Sequence, residues 1–319
     1  MRLLKALTIA ISVAFLKLPS QGYASDRSCA NDWPNSSVRF DSEILYANQD
    51  RKTGPFVRVQ INGKTVSMML DTGSNINLLW DTSVLDESPG EHRQRVDFIA
   101  SSTDARKVGA ALSDSHGNLS HQQFYVLPNS TLSGDGYSGI LSPQAVAGSH
   151  ATIIDFEQNC FFISPAFEIR PDMRFHVFRG TTIPNPYGVM AIPLEIEGGK
   201  IPIIVDSAAS ESTILSTLVA TRPKGPKSPR LMDVIGTEIP AGVRMRLVDL
   251  KINGQDFRSH PVIPKSAIST AGVTALGAVG MDILKDRIVY YHGALHQFTL
   301  LNRRATPPST AVKLDDRIE

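Results

Sequence analysis

The sequence predicts an all-β protein built from two copies of one unit, and three observations predict it. Val57–Asn75 (VRVQINGKTVSMMLDTGSN) lies over Ile192–Ser210 (IPLEIEGGKIPIIVDSAAS) at an offset of 135, with Gly63 on Gly198 and Asp71 on Asp206. A second stretch, Val96–Ser130 over Met232–Ser266, matches at 136 through Asp97/Asp233, Ile99/Ile235, Ala105/Ala241, Val126/Val262, Pro128/Pro264 and Ser130/Ser266. Alternation of period two runs through both copies, and helical periodicity is confined to short pieces such as Ser212–Ala220.

Each copy opens on a hairpin. Val57, Val59 and Ile61 alternate with polar residues, Asn62-Gly63 supplies the turn, and Val66–Leu70 returns. In the second copy Ile192, Leu194 and Ile196 lead to Gly198-Gly199, and Ile201–Val205 returns. Met68-Met69-Leu70 and Ile203-Ile204-Val205 are unbroken apolar runs, the pattern of strands covered on both faces. FYVLP, TIIDF, FFI, MRLVDLKI, RIVYY and FTLL supply further strands.

With 319 residues, 42% hydrophobic and 20% charged, the chain is long enough for two cores and too ordinary in composition for disorder, collagen or coiled coil. Arg2 and Lys5 precede an apolar run from Ala6 to Leu16, and Gly22-Tyr23-Ala24 offers a cleavage site after Ala24. Residues 1–24 read as a secretory signal peptide, with Lys17 leaving a retained anchor as the alternative. Removing Arg2, Lys5 and Lys17 from 32 basic residues leaves 29 against 31 acidic, a balance that argues against nucleic-acid binding. No later segment is apolar for the length of a membrane span. The expected division is a lobe over 25–170, a second lobe over 171–303 with the joint at Pro171–Tyr187, and a tail over 304–319, in a secreted or periplasmic monomer. Cys29 and Cys160 are the two cysteines. An oxidising compartment favours one disulfide between them, the alternative being two unpaired thiols. They are too few for a zinc site.

Both buried strands end in an acid followed by small residues, Asp71-Thr72-Gly73-Ser74 and Asp206-Ser207-Ala208-Ala209. A carboxylate at the end of so apolar a strand needs partners or a proton. Small residues let the chain turn sharply and aim N–H groups at it. If the copies pack about a pseudo-twofold axis, the two turns meet on it. Two carboxylates about 3 Å apart share one proton. One then takes a proton from water while the other donates to a carbonyl oxygen, which is acid–base hydrolysis without metal or cofactor.

Asp71-Thr72-Gly73-Ser74 resembles the active-site signature of pepsin-like aspartic proteases, a retropepsin-like motif that each half carries, and Asp206-Ser207-Ala208-Ala209 is similar to its second-lobe counterpart. The family's apolar pair and glycine on a strand behind the catalytic loop is matched by Ala278-Val279-Gly280, and Ile140-Leu141-Ser142 holds the equivalent place in the first half with Ser for Gly. The resemblance implies two similar lobes around a cleft that takes an extended polypeptide, with Asp71 and Asp206 as the catalytic pair. It implies Thr72 and Ser207 hydroxyls bonding across the lobes, a Gly73 N–H on a carboxylate, and Ser74 supporting an Asp71 oxygen. Ala208 departs from the expected Gly, a strained choice if the turn needs positive φ. The flap hairpin expected over Val96–Leu112, turning near Ser101–Asp104, offers Phe98 where the family has Tyr. These departures define the rival expectation, a catalytically silent binder of peptide, glycan or another enzyme on the same fold.

Other features carry less. Gly134–Gly139 fits G-x-G-x-x-G without a following helix, and Asp97 and Asp233 read as structural. His292/His296 and His116/His121 lack the glutamate of a zinc protease and read as surface histidines. Arg222–Arg230 reads as a solvated basic loop, and Asn35, Asn118 and Asn129 sit in glycosylation sequons.

Overall fold

A computed structural model describes residues 38–51, 54–86, 93–97, 102–127, 130–165, 175–181, 189–232, 238–239, 242–266, 268–270, 273–295 and 297–303. The expected signal peptide (1–24), the tail (304–319), most of the joint, Cys29, Asn35, Phe98, Asn129, Asp233 and His296 lie outside the described residues.

The first half supplies β1 (Phe40–Leu45), β2 (Phe56–Ile61), β3 (Lys64–Leu70), β4 (Asn77–Leu79), β5 (Arg93–Asp97), β6 (Ser102–Ser113), β7 (Leu119–Val126), β8 (Gly139–Leu141), α1 (Pro143–Ala147), β9 (Ala151–Asp155) and β10 (Cys160–Ser164). The second begins with β11 (Phe175–Thr181), β12 (Ala191–Ile196), β13 (Gly199–Val205), β14 (Thr213–Leu215), α2 (Ser216–Val219), β15 (Lys224–Lys227), β16 (Leu231–Met232) and β17 (Glu238–Ile239). It ends with β18 (Arg244–Ile252), β19 (Gln255–Lys265), β20 (Ile268–Thr270), β21 (Val273–Ala275), β22 (Gly277–Val279), α3 (Met281–Leu284), β23 (Ile288–His292) and β24 (Gln297–Arg303).

The halves repeat one another strand for strand. β3 runs parallel to β8, β4 lies between β8 and β7, and β2 closes onto β6. In the second half β13 runs parallel to β22, β14 lies between β22 and β19, and β12 closes onto β18. The fold is all-β with two barrel-like lobes. A ladder in the order β11-β24-β23-β9-β10-β1 extends the first-lobe sheet, so the last strands of the chain join the sheet begun by the first. Its β23–β9 pairing brings Tyr290 opposite Ile153. One apolar cluster, from Phe40, Met68 and Leu70 to Ile192, Val205 and Val289, runs through both halves. Each such side chain fully removed from water contributes about 1.5–3 kcal/mol. Among the described residues no helix is long and apolar enough to cross a membrane.

Several expectations need correction. The second hairpin turns at Glu197-Gly198, both at positive φ like Asn62-Gly63, and Gly199 already pairs with Ile196. The piece expected as helix, Ser212–Ala220, starts as β14, with α2 only from Ser216 to Val219. The match at 136 is also two residues out. Ile61 pairs with Leu112 and Ile196 with Leu250, so β6 and β18 correspond at 250 − 112 = 138. Leu78 pairs with Tyr125 and Thr213 with Ile263, which gives 138 again for β7 and β19. His292, expected at the surface, is buried in β23, and burial lowers its pKa, with His150 adding to the effect. Cys160 is buried at the start of β10 and is not a free thiol.

Candidate active site

The two apolar strands deliver their acids to equivalent places. β3 and β8 end together at Leu70 and Leu141, and the Asp71 N–H donates to the Leu141 carbonyl at 3.0 Å. β13 and β22 end together at Val205 and Val279, and the Asp206 N–H donates to the Val279 carbonyl at 2.9 Å. The strand after each turn is pressed against a glycine. A methyl on Gly139 would stand 2.1 Å from the Leu78 carbonyl oxygen, and one on Gly277 would stand 2.2 Å from that of Thr213. The packing role of both glycines is not read from the sequence, where Gly139 enters only as the end of the Gly134–Gly139 pattern, though they recur at the same 138 spacing.

The turns are tied to each other by four hydrogen bonds. The Thr72 N–H donates to Ser207 Oγ at 3.1 Å, and the Ser207 N–H donates to Thr72 Oγ1 at 2.9 Å. The Thr72 hydroxyl donates to the Val205 carbonyl and the Ser207 hydroxyl to the Leu70 carbonyl, both at 2.7 Å. Thr72 and Ser207 are fully buried, so water does not compete for these groups. Each bond contributes about 0.5–1.5 kcal/mol, and losing one partner strands a buried carbonyl.

Within that frame the carboxyls are held by backbone donors. The Gly73 N–H donates to Asp71 Oδ1 at 2.8 Å, and the N–H groups of Ala208 and Ala209 donate to Asp206 Oδ1 at 3.0 and 3.1 Å. The first turn also abuts the second acid: a methyl on Gly73 would lie 2.9 Å from Asp206 Cγ. Asp71 keeps partial access to solvent and Asp206 is buried. Burial pushes the Asp71 carboxyl up to about 8, with the Asp206 charge adding to the rise against the Gly73 and Ser74 N–H groups. Burial also raises Asp206, opposed by the Ala209 and Ala208 N–H groups and by the positive charge of Lys265. A proton is therefore retained by the pair well above the ordinary carboxylate range, and it belongs to the pair rather than to one residue.

Ser74 supports Asp71 through its N–H, while its hydroxyl donates to the Ile76 carbonyl at 2.7 Å. Ala208 is not at positive φ, so its methyl strains no backbone, and it packs on the first-lobe cluster of Met69, Trp80, Val96 and Tyr137. β5 begins at Arg93 and pairs with β6 as far as Asp97 opposite Ser102, so Thr103 and Asp104, expected at the tip, lie in β6 instead. Phe98 lies outside the described residues. Ser142, at the place of the motif glycine, donates its hydroxyl to the Ser74 carbonyl at 2.7 Å. Sequence reasoning missed Gln144, which carries no motif of its own and whose Nε2 donates to the Thr72 carbonyl at 2.6 Å. Among the described residues no group of three or more His, Cys, Asp or Glu side chains is placed to hold a metal ion.

No family model matches the chain, and no curated protein sequence matches it. Among solved structures, an aspartic proteinase from Irpex lacteus superposes with a TM-score of 0.53 at 12% identity, over 82% of this chain and 97% of that one. At that identity the likeness establishes the fold, an all-β pepsin-like arrangement of two lobes.

Proposed function

We propose that the protein is an exported aspartic endopeptidase that hydrolyses polypeptides with a water activated by Asp71 and Asp206. The observation that carries this is the reciprocal tie of the two acid-bearing turns through Thr72 and Ser207, with Asp206 set against the Gly73 backbone of the first turn. The ionised member takes a proton from water as its oxygen attacks the peptide carbonyl carbon. The protonated member gives its proton to the carbonyl oxygen, leaving a neutral tetrahedral diol. Collapse returns a proton to the pair from one hydroxyl, passes another to the leaving nitrogen, and breaks the C–N bond. No covalent intermediate, metal or cofactor is required. A disulfide between Cys29 and Cys160 belongs to the same proposal, as does a monomeric state.

The test is cleavage of denatured casein across pH, with and without pepstatin. Because the pair keeps its shared proton upward of the usual range, hydrolysis persists toward neutrality and falls as pH climbs through about 8 and the shared proton is lost. Pepstatin abolishes it. Tight pepstatin binding with no cleavage at any pH would replace the enzyme by a silent binder.

A further inference from the structure

The two catalytic turns are braced from behind by different chemistry. In the first lobe the braces are neutral: Ser142 reaches the Ser74 carbonyl, the Ser142 N–H donates to Asn77 Oδ1 at 2.9 Å, and Gln144 reaches the Thr72 carbonyl. The strand register puts Ser212 where Asn77 stands (212 − 77 = 135), Gly280 at Ser142 (280 − 142 = 138) and Asp282 at Gln144 (282 − 144 = 138). His260, opposite Val248, takes the place of Gln122, opposite Ala110.

In the second lobe these positions form a closed set. Asp282 Oδ2 accepts the Ser212 N–H at 3.0 Å and its Oδ1 accepts the Ser212 hydroxyl at 2.8 Å. Ser212 Oγ in turn accepts the Gly280 N–H at 3.1 Å. The Met281 and Asp282 N–H groups donate to the Ala209 and Ser210 carbonyls at 2.8 and 3.1 Å. His260 Nε2 stands 2.8 Å from Asp282 Oδ2, and the two side chains are 16% and 5% exposed. The Ile283 N–H also donates to Oδ1, so the Ser212 N–H, the Ser212 hydroxyl and the Ile283 N–H each bring a hydrogen to this carboxylate. The trio is not a nucleophilic triad, because the serine hydroxyl goes to the aspartate and not to the histidine. The segment it holds, Ala209–Ser212, is the run that leaves the Asp206 turn, and Ala209 itself donates to Asp206 Oδ1.

We propose that Asp282, with His260 fixing its second oxygen, is the positioning residue of the second catalytic turn, setting where Asp206 stands without touching substrate. The kinetic half of this rests on the proteolytic function proposed above; the structural half does not. Asp282→Asn keeps the size but sets an NH2 against either the Ser212 N–H or the Ile283 N–H, since these two backbone donors use different oxygens.

The experiment is hydrogen exchange by mass spectrometry over 206–213, with 71–77 as internal reference, alongside kcat and KM on a casein peptide. Asp282→Asn is expected to speed exchange over 206–213 about tenfold or more, leave 71–77 unchanged, and lower kcat about tenfold with KM within about twofold. His260→Ala, at a more exposed position, does the same more weakly. His260→Gln, which restores an N–H to that oxygen, recovers at least about half of what His260→Ala loses. If Asp282→Asn does not fold, the two His260 variants decide. Unchanged exchange over 206–213 in folded variants overturns the proposal, as does a rise in KM alone. A wild type that cleaves nothing removes the proteolytic function, and exchange still judges the brace.

Discussion

Under the proposed function, replacing Asp71 or Asp206 by Asn is expected to abolish peptide hydrolysis and leave the fold standing. Asn retains the Oδ1 acceptor that Gly73 uses in one turn and Ala208 and Ala209 use in the other, so the backbone contacts survive. It cannot share or pass the proton. A positioned acid or base contributes roughly 10²–10⁴-fold, and in the proposed mechanism each Asp serves as both in one turnover, so losses of at least about 10³ are expected. Circular dichroism should match wild type. The pH dependence of stability should change as well. In the wild type Asp71 has a folded pKa raised to about 8, above its ordinary 3.8. Its contribution is complete below the ordinary value and is lost as pH rises through about 8, because the folded state must then hold a charge it disfavours. Asp71→Asn has no such charge and flattens that limb. Residual hydrolysis within tenfold of wild type in either variant would remove the pair from the chemistry.

Gly139→Ala and Gly277→Ala each cost more than about 3 kcal/mol, because the added methyl meets backbone that cannot step aside. At Gly139 it would lie 2.1 Å from the Leu78 carbonyl oxygen and 2.6 Å from the Met68 side chain. At Gly277 it would lie 2.2 Å from the Thr213 oxygen and 3.2 Å from the Ile214 Cα. Neither glycine has a positive φ, so the cost is contact rather than conformation. The strands displaced, β4 and β14, are the ones that leave the catalytic turns, so activity falls with stability. Gly134→Ala is the control, since nothing lies within 4 Å of its position and its φ is ordinary; it should shift stability by less than about 0.5 kcal/mol. Thermal unfolding checks all three, and a tolerated Gly277→Ala would mean that β14 and β22 pack more loosely than described.

The features legible in the sequence were those written locally. Asn62-Gly63 gave its turn because two successive positive-φ residues need such a pair, and the Asp71 and Asp206 turns stood out because an acid closing an apolar strand is costly without a purpose. Register was less legible. A match at 136 where the strands correspond at 138 is an error of two, and in a strand a shift of two keeps every side chain on its original face. Val126 over Val262 therefore looked as sound as the true correspondence. Glu197 in the second turn was hidden because Gly198-Gly199 is the stronger signal on composition alone. The joining of β23 to β9 was not legible, since ladders between distant segments leave no mark in either one. Nor was the Asp282 brace, in which Ser212, His260 and Asp282 converge from three elements and share no spacing rule.

The most direct measurement is the titration of the two carboxyls by carbon-13 NMR of aspartate-labelled protein, assigned with Asp71→Asn and Asp206→Asn. Two coupled steps are expected, the upper one above the ordinary carboxylate range, and replacing either residue should collapse them to one. Two independent titrations near the ordinary value, each indifferent to loss of the other acid, would contradict a shared proton and with it the proposed chemistry.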